Sequence, residues 1–441
     1  MERTQVNVEK ELEQIDNHHP ALFHQHWLSR GRLLAANGAF TIYATVLAVV
    51  TRQADQTWAI WAALAYGVTT GVIWLTRNKN VPMIWPVLVS LAGALAAPVA
   101  WLVTRVSPTP EVQVISRSAG LLMQHGTPYL TTGELANWLS YNPYLPIMAL
   151  FGMPRALGAS GILGDPRLWL SITSIVLLWA AFMVAAPHRR CAGCRRGVLL
   201  STLFFAASPV IAFPLAVGIT DPPVIALMLL TLALLARPSG LLRAAAALGV
   251  ACAMKATAWP AVPVFATMLA ARDAARSAWR FVGIVLGAAV LLSVVSAPTA
   301  LAHPWAFVQN TVLFPLGLSK YKTPAASPLP GHLLASTGMA GHWAAVALLV
   351  AAGLGFAVSL VVRPPANARA AAWRLAIGLA VMFTLAPATR WGYFVYPIGL
   401  AGWLLLTRPA AAGTAPPGPG PGPEVTIPAQ AGKRTVSAAA G

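Results

Sequence analysis

The sequence predicts an all-α protein, a polytopic bundle that crosses a membrane about twelve times. Two observations carry this. The chain is 57% hydrophobic and 10% charged, with a mean hydropathy of +0.66, whereas a soluble domain holds about 25% charged residues. Its apolar residues also gather in runs near the roughly 20 residues that a helical crossing needs, separated by loops that hold Arg and Lys.

Charge narrows the partners. The net charge is +18 and the isoelectric point is near 10.9, which in a soluble protein would suggest nucleic acid. Here the cations lie between apolar runs, without a basic helix or an aromatic RNA-binding pattern. The excess therefore reads as positive-inside bias and attraction to anionic membrane lipid, and no nucleic-acid partner is expected. Of the three cysteines, Cys252 falls inside an apolar run as packing, and Cys191 and Cys194 form a CxxC with no second pair to complete a metal site. Neither a metal nor a cofactor is expected. No cleavable signal peptide is read, because the first apolar run begins after Arg32.

Residues 1–32 form a polar cytosolic tail, in which His18, His19, His24 and His26 share no fixed spacing on a helix face. Two transmembrane helices follow within 33–81, near 34–51 and 57–75. The main body, 82–407, holds a span near 82–103, a long polar stretch from Arg105 to Pro146 and a short apolar piece at 144–155. Further spans fall near 167–187, 198–216, 222–236, 243–255, 257–271, 281–297, 342–362, 372–388 and 392–407. Residues 408–441 contain APPGPGPGPE, a composition that opposes both helix and packing, and read as a disordered cytosolic tail. The loops with Arg77 and Lys79, with Arg189 to Arg196, with Arg237 and Arg243, with Arg272 to Arg280 and with Arg363 to Arg374 mark the cytosolic side. This orientation requires 243–271 to be a hairpin of two short helices. It gives a multi-pass plasma-membrane protein with both termini cytosolic.

The outer side then receives a specific set of polar residues. Glu111, Arg117, Tyr129, Glu134, Tyr141 and Asn142 come from the long stretch and Asp165 from just before the next span. Asp221 heads DPPVIALMLL, and Lys255 lies at the hairpin turn. A second long loop supplies His303, Trp305, Asn310, Lys320, Tyr321 and Lys322, and Arg390 lies in PATRWGY. Ionisable groups at membrane depth are costly and so are functional candidates. Each also has a plain structural use. Asp221 before two prolines suits a helix cap, Lys255 can snorkel, Arg390 can cap a helix C-terminus, His303 can be a loop histidine, and Glu134 and Asp165 read as loop and cap residues. Glu111 follows Pro108 and Pro110 about one turn beyond a span. A carboxylate there can take a proton from an acceptor hydroxyl, or can simply be solvated, while nearby cations can hold a phosphate leaving group.

The stretches EVQVISRSAGLLMQHGTPYL and YNPYLPIMALFGMP resemble the first outer loop of GT-C glycosyltransferases, most closely the actinobacterial polyprenol-phosphate-mannose-dependent α-mannosyltransferases of family 87. TDPPVIALMLLTLALL, AMKATAWPAVPV and PATRWGYFVYP are similar to other parts of that group, so the likeness covers roughly 82–407. It implies a GT-C-like bundle with a lipid-facing groove and an active site facing outside. A hexose, mannose by this likeness, would pass with inversion from a polyprenyl-phosphate donor to a hydroxyl of a glycolipid or glycan acceptor. The family's base in the first outer loop is usually Asp; here it falls on Glu111, one methylene longer. Lys255 and Arg390, with Lys320 or Lys322, would hold the donor phosphate, and Asp221 would orient the acceptor or brace Lys255. Tyr129, Tyr141 and Trp305 would stack on sugar or isoprenoid. Two other readings use the same features: a secondary transporter, which would show paired halves and midplane sites, and a membrane scaffold without chemistry.

Overall fold

The computed structural model describes residues 28–186 and 192–407. The N-terminal histidines, the CxxC side chains and the Pro/Gly-rich tail lie outside the described residues. Apart from one isolated bridge between Ala326 and Thr389, the described chain is helix and loop. That is the expected outcome for a chain in lipid, because a helix satisfies its own backbone polar groups without water.

Helix α1 (Arg30–Val50) pairs with α2 (Gln53–Leu75) across a tight turn, and α2 packs on α3 (Ile84–Arg105). Polar side chains join the three. Ser90 Oγ lies 2.9 Å from both Asn37 Oδ1 and Thr69 Oγ1, and all three residues are buried. Helix α3 widens into a π turn over Ala92–Ala96. Gly93, within it, sits so close to α2 that an added Cβ would lie 2.2 Å from the Ala65 Cβ.

The polar stretch after α3 opens with a 16-residue helix, α4 (Pro110–His125), rather than an extended loop. Val112, Val114, Ile115 and Ala119 face the core while Gln113 is exposed, so one amphipathic helix was hidden in a segment of low mean hydropathy. Gly126, at φ +69°, ends it in the left-handed conformation that favours glycine. The apolar piece at 144–155 is a short tight helix, Pro146–Gly152, running into Met153–Ala156.

Next come α5 (Pro166–Ala185), α6 (Ala192–Ala207) and α7 (Pro209–Val217). The last two are bent by 57° at Ser208, where Pro209 cannot continue the ladder. Helix α8 (Asp221–Leu235) is apolar on all sides, and every residue of it except Leu230 is buried, so it stands at the centre of the bundle. The chain then passes through α9 (Leu241–Met254), α10 (Ala261–Arg272) and α11 (Ala275–Ser296). The helical run breaks at Lys255, and α11 packs against both shorter helices. Beyond the second long loop lie α12 (Met339–Val362), α13 (Ala368–Leu385) and α14 (Val395–Leu406). Cys252 is buried as packing.

By length and composition, seven described helices can cross a membrane (α1, α2, α3, α5, α11, α12 and α13), or eight if the bent α6–α7 pair counts as one span. Helices α8, α9, α10 and α14 have 12 to 15 residues, fewer than the roughly 20 of a full crossing. Together with the seven long helices and the bent pair, they correspond to the twelve apolar runs read from the sequence.

Basic side chains tie helix ends together. Arg237 donates to the carbonyls of Val184, in the last turn of α5, and Ala186, just past it, and Arg272 donates to Leu235 at the end of α8, 2.6 Å away. Arg369 donates to Leu404 at the end of α14. Cations at helix C-termini meet unpaired carbonyls and the negative end of the dipole. Asp221 begins α8, about 21 Å from Leu235 at 1.5 Å per residue, so its end of the bundle is opposite that basic end.

Replacing Gly93 with Ala should destabilise the protein by about 1–3 kcal/mol, the usual cost of overpacking. The exchange A65G/G93A, which again leaves one Cβ at the crossing, should recover part of that loss, as read from thermal unfolding in detergent.

Candidate active site

Four charged residues far apart in the chain form two ion pairs at the end opposite Leu235. The Arg390 guanidinium donates to Glu111 Oε1 at 3.0 Å. Lys255 Nζ donates to Asp221 Oδ1 at 2.5 Å and lies 3.1 Å from Thr220 Oγ1. Each residue is held at a junction between helices. Glu111 is the second residue of α4, just after Pro110, whose missing N–H is no loss in a first turn. Thr109, before it, donates its hydroxyl to the Val217 carbonyl at 2.8 Å, tying the start of α4 to the end of α7. Gly218 follows at φ +91°, and a Cβ there would lie 2.2 Å from Val112, so only glycine lets α7 end against α4 and present Thr220 and Asp221 beside Glu111.

Lys255 occupies an extended residue between α9 and α10. The N–H of Leu145 donates to the neighbouring Met254 carbonyl at 3.0 Å, which fixes the 141–146 segment to that turn. The rings of Tyr144 and Tyr393 have their centroids 5.5 Å and 5.7 Å from Nζ, a cation–π enclosure. Arg390 is clamped from both sides. Thr389 exchanges backbone bonds with Ala325 and Ser327 at 3.0 Å, and the Trp391 N–H donates to Ser327 Oγ at 3.0 Å.

Glu111, Lys255 and Arg390 all face one cavity of about 320 Å³. Its walls are mainly apolar and aromatic, with Tyr141, Tyr144, Phe314, Phe383 and Tyr393 among them. Asp221 does not line it; the residue is buried behind Lys255 and neutralises it there. The second oxygen of Glu111, Oε2, is buried. Burial pushes the Glu111 carboxyl above its ordinary range; the charges of Lys255 and then Arg390 oppose that rise, Asp221 adds to it, and a hydrogen bond from the Thr220 backbone opposes it.

Other residues selected from the sequence have different places. Tyr141 lines the cavity, stacked on Phe314 with centroids 4.4 Å apart. Tyr129 is buried, and its hydroxyl donates to the Tyr144 carbonyl at 2.9 Å. Asn142 accepts from the Tyr144 N–H at 3.0 Å, and its own N–H donates to Asn310 at 2.7 Å. Arg117 donates to the carbonyls of Leu139 and Ser140. These three hold the cavity wall without lining it. His303, Trp305, Lys320 and Lys322 are exposed and do not line the cavity; Lys320 instead lies over the Tyr321 ring at 5.2 Å. The second loop reaches the cavity with Phe314 to Leu316 and Thr323 to Ala325. Asp165 caps α5 and forms a buried pair with Arg167 at 2.8 Å, and Glu134 closes a capping box with Thr131, so both are cap residues as read from the sequence. Sequence reasoning missed Tyr144, Tyr393 and Thr220. The first two stand in the quoted motifs YNPYLP and RWGYF, but nothing local distinguishes them from packing aromatics.

In comparison with known proteins, the model of glycosyltransferase family 87 matches residues 142–387. Asp221, Lys255 and most of the cavity wall lie within that stretch; Glu111 precedes it and Arg390 follows it. No curated protein and no solved structure gives a match.

Removing one partner of a buried ion pair costs about 3–5 kcal/mol because the other charge stays buried. Asp221→Ala should therefore destabilise the protein by that order, and the double variant D221A/K255M should be markedly more stable than D221A in thermal unfolding.

Proposed function

The chain belongs to glycosyltransferase family 87, and from that premise we propose that it moves a hexose, mannose in our reading, from a polyprenyl-phosphate donor to a hydroxyl of a glycolipid or glycan. The family and the long apolar helices make it a membrane glycosyltransferase. In the proposed topology the short helices complete twelve passes, both termini are cytosolic, and the cavity opens on the outer face of the plasma membrane. The supporting observation is the Glu111 carboxylate, paired with Arg390 and lining the same apolar-walled cavity as Lys255.

Glu111 acts as general base. Its carboxylate takes the proton of the acceptor hydroxyl as that oxygen attacks the anomeric carbon. The bond from the anomeric carbon to the phosphate oxygen breaks on the opposite side, which inverts the centre, and polyprenyl phosphate leaves with one further negative charge. Arg390 and Lys255 face that charge in a cavity with mainly apolar walls, where fixed cations stabilise it more than they could in bulk water. Asp221 holds Lys255 charged and in place. Tyr141 and Tyr144 offer ring faces to the sugar.

Glu111→Gln keeps the shape and removes the base. It should lower turnover of a polyprenyl-phosphate-mannose donor by about 10²–10⁴-fold with normal membrane insertion; full turnover in this variant would overturn the assignment. Glu111 must be ionised to act, so activity should fall as pH drops through a value above the ordinary carboxylate range. Arg390 lowers that value, so Arg390→Gln should move the acid limb of the kcat/KM profile to higher pH.

A further inference from the structure

Helices α1 and α2 lie outside the stretch that matches the family, yet α2 touches the two least regular helices of the bundle. Both leave a backbone carbonyl for it to meet. At the α6–α7 bend the Ile211 N–H bonds to Ser208 at 3.0 Å, so the Ala207 carbonyl loses its helical partner. The Tyr66 hydroxyl, fully buried on α2, donates to that carbonyl. In the widened turn of α3, the Ala94 carbonyl has Pro98 four residues on, which offers no N–H, and the fully buried Trp58 donates its indole N–H to it at 2.7 Å. The Trp58 ring reaches Phe213 on α7 as well, with centroids 4.8 Å apart.

Each irregular helix leads to one half of the candidate site. Helix α3 runs into the turn before Glu111, and α7 runs through Gly218 to Thr220 and Asp221. The Thr109–Val217 hydrogen bond joins the two paths where they arrive. An unpaired carbonyl at membrane depth is costly, so a single donor that satisfies it also selects the local bend. A change of bend about three turns below the rim moves the residues that the helix carries there.

We infer that Trp58 and Tyr66 are positioning residues, through which α2 fixes the bends of α3 and α7 and so sets Glu111 against Asp221 and Lys255. This rests on the reading of Glu111 as the base. Neither side chain reaches the cavity, so both act through backbone.

Trp58→Phe and Tyr66→Phe keep a ring and remove one donor. Hydrogen exchange of the full chain in lipid nanodiscs reads the geometry, with residues 106–112 and 218–222 as reporters. Both segments should exchange faster in each variant. Turnover of a polyprenyl-phosphate-mannose donor should fall about ten- to hundredfold in kcat with KM little changed, and by the same factor per folded molecule after correction for yield. Unchanged exchange in either segment overturns the inference. So does a loss of activity explained wholly by less folded protein, or unaltered kcat while E111Q is inactive. An active E111Q would instead remove Glu111 as base, and the exchange data would then decide alone whether α2 sets these segments.

Discussion

The bond between Lys255 and Asp221 is the constraint on which the site depends. Both residues are buried in an apolar bundle, where either charge alone would be expensive. Their pairing is tolerable because each has further support. Lys255 has Thr220 and two aromatic rings, and Asp221 stands at the positive end of α8. The pair therefore fixes the turn between α9 and α10 against the start of the central helix. With that turn come Met254, whose carbonyl holds Leu145, and through Leu145 the aromatic wall formed by Tyr141 and Tyr144.

Around that pair the protein places charge on junctions rather than on helix faces. Glu111 follows a proline at a helix start, Asp221 follows a left-handed glycine, and Lys255 and Arg390 occupy extended residues. A junction lets a side chain leave the helical lattice and point toward groups from other helices. It also frees backbone N–H and C=O groups, and here those groups are taken by neighbouring segments, as at Thr389 with Ala325 and Ser327. The result is a set of loops held by hydrogen bonds, with ionised groups in surroundings of low dielectric where their mutual attraction is strong.

Structural work is divided along the chain. Within the family-matched stretch lie Asp221, Lys255 and most of the cavity wall, while Glu111 and Arg390 come from either side of it. The two N-terminal helices add buried hydrogen bonds at the bends of their neighbours instead of lining the cavity. Small residues permit the approach, since Gly93 and Ala65 leave no space for another carbon between α2 and α3.

Several features were legible in the sequence because they depend on local chemistry. Low charge and long apolar runs determined a helical membrane protein, and two prolines after Asp221 determined a helix start. The order of basic and polar loops separated the charged candidates from the basic ends, so Glu111, Lys255 and Arg390 could be named together. Tertiary structure decided the rest. Membrane-length runs and short buried helices have the same composition, so only packing distinguishes α8 from α12. An amphipathic helix such as α4 has too little mean hydropathy to stand out within a polar stretch. Partner choice is a matter of distance in space: Asp221 braces Lys255 while Lys320 and Lys322 stay on the surface, and nothing within a few residues of any of them encodes that difference.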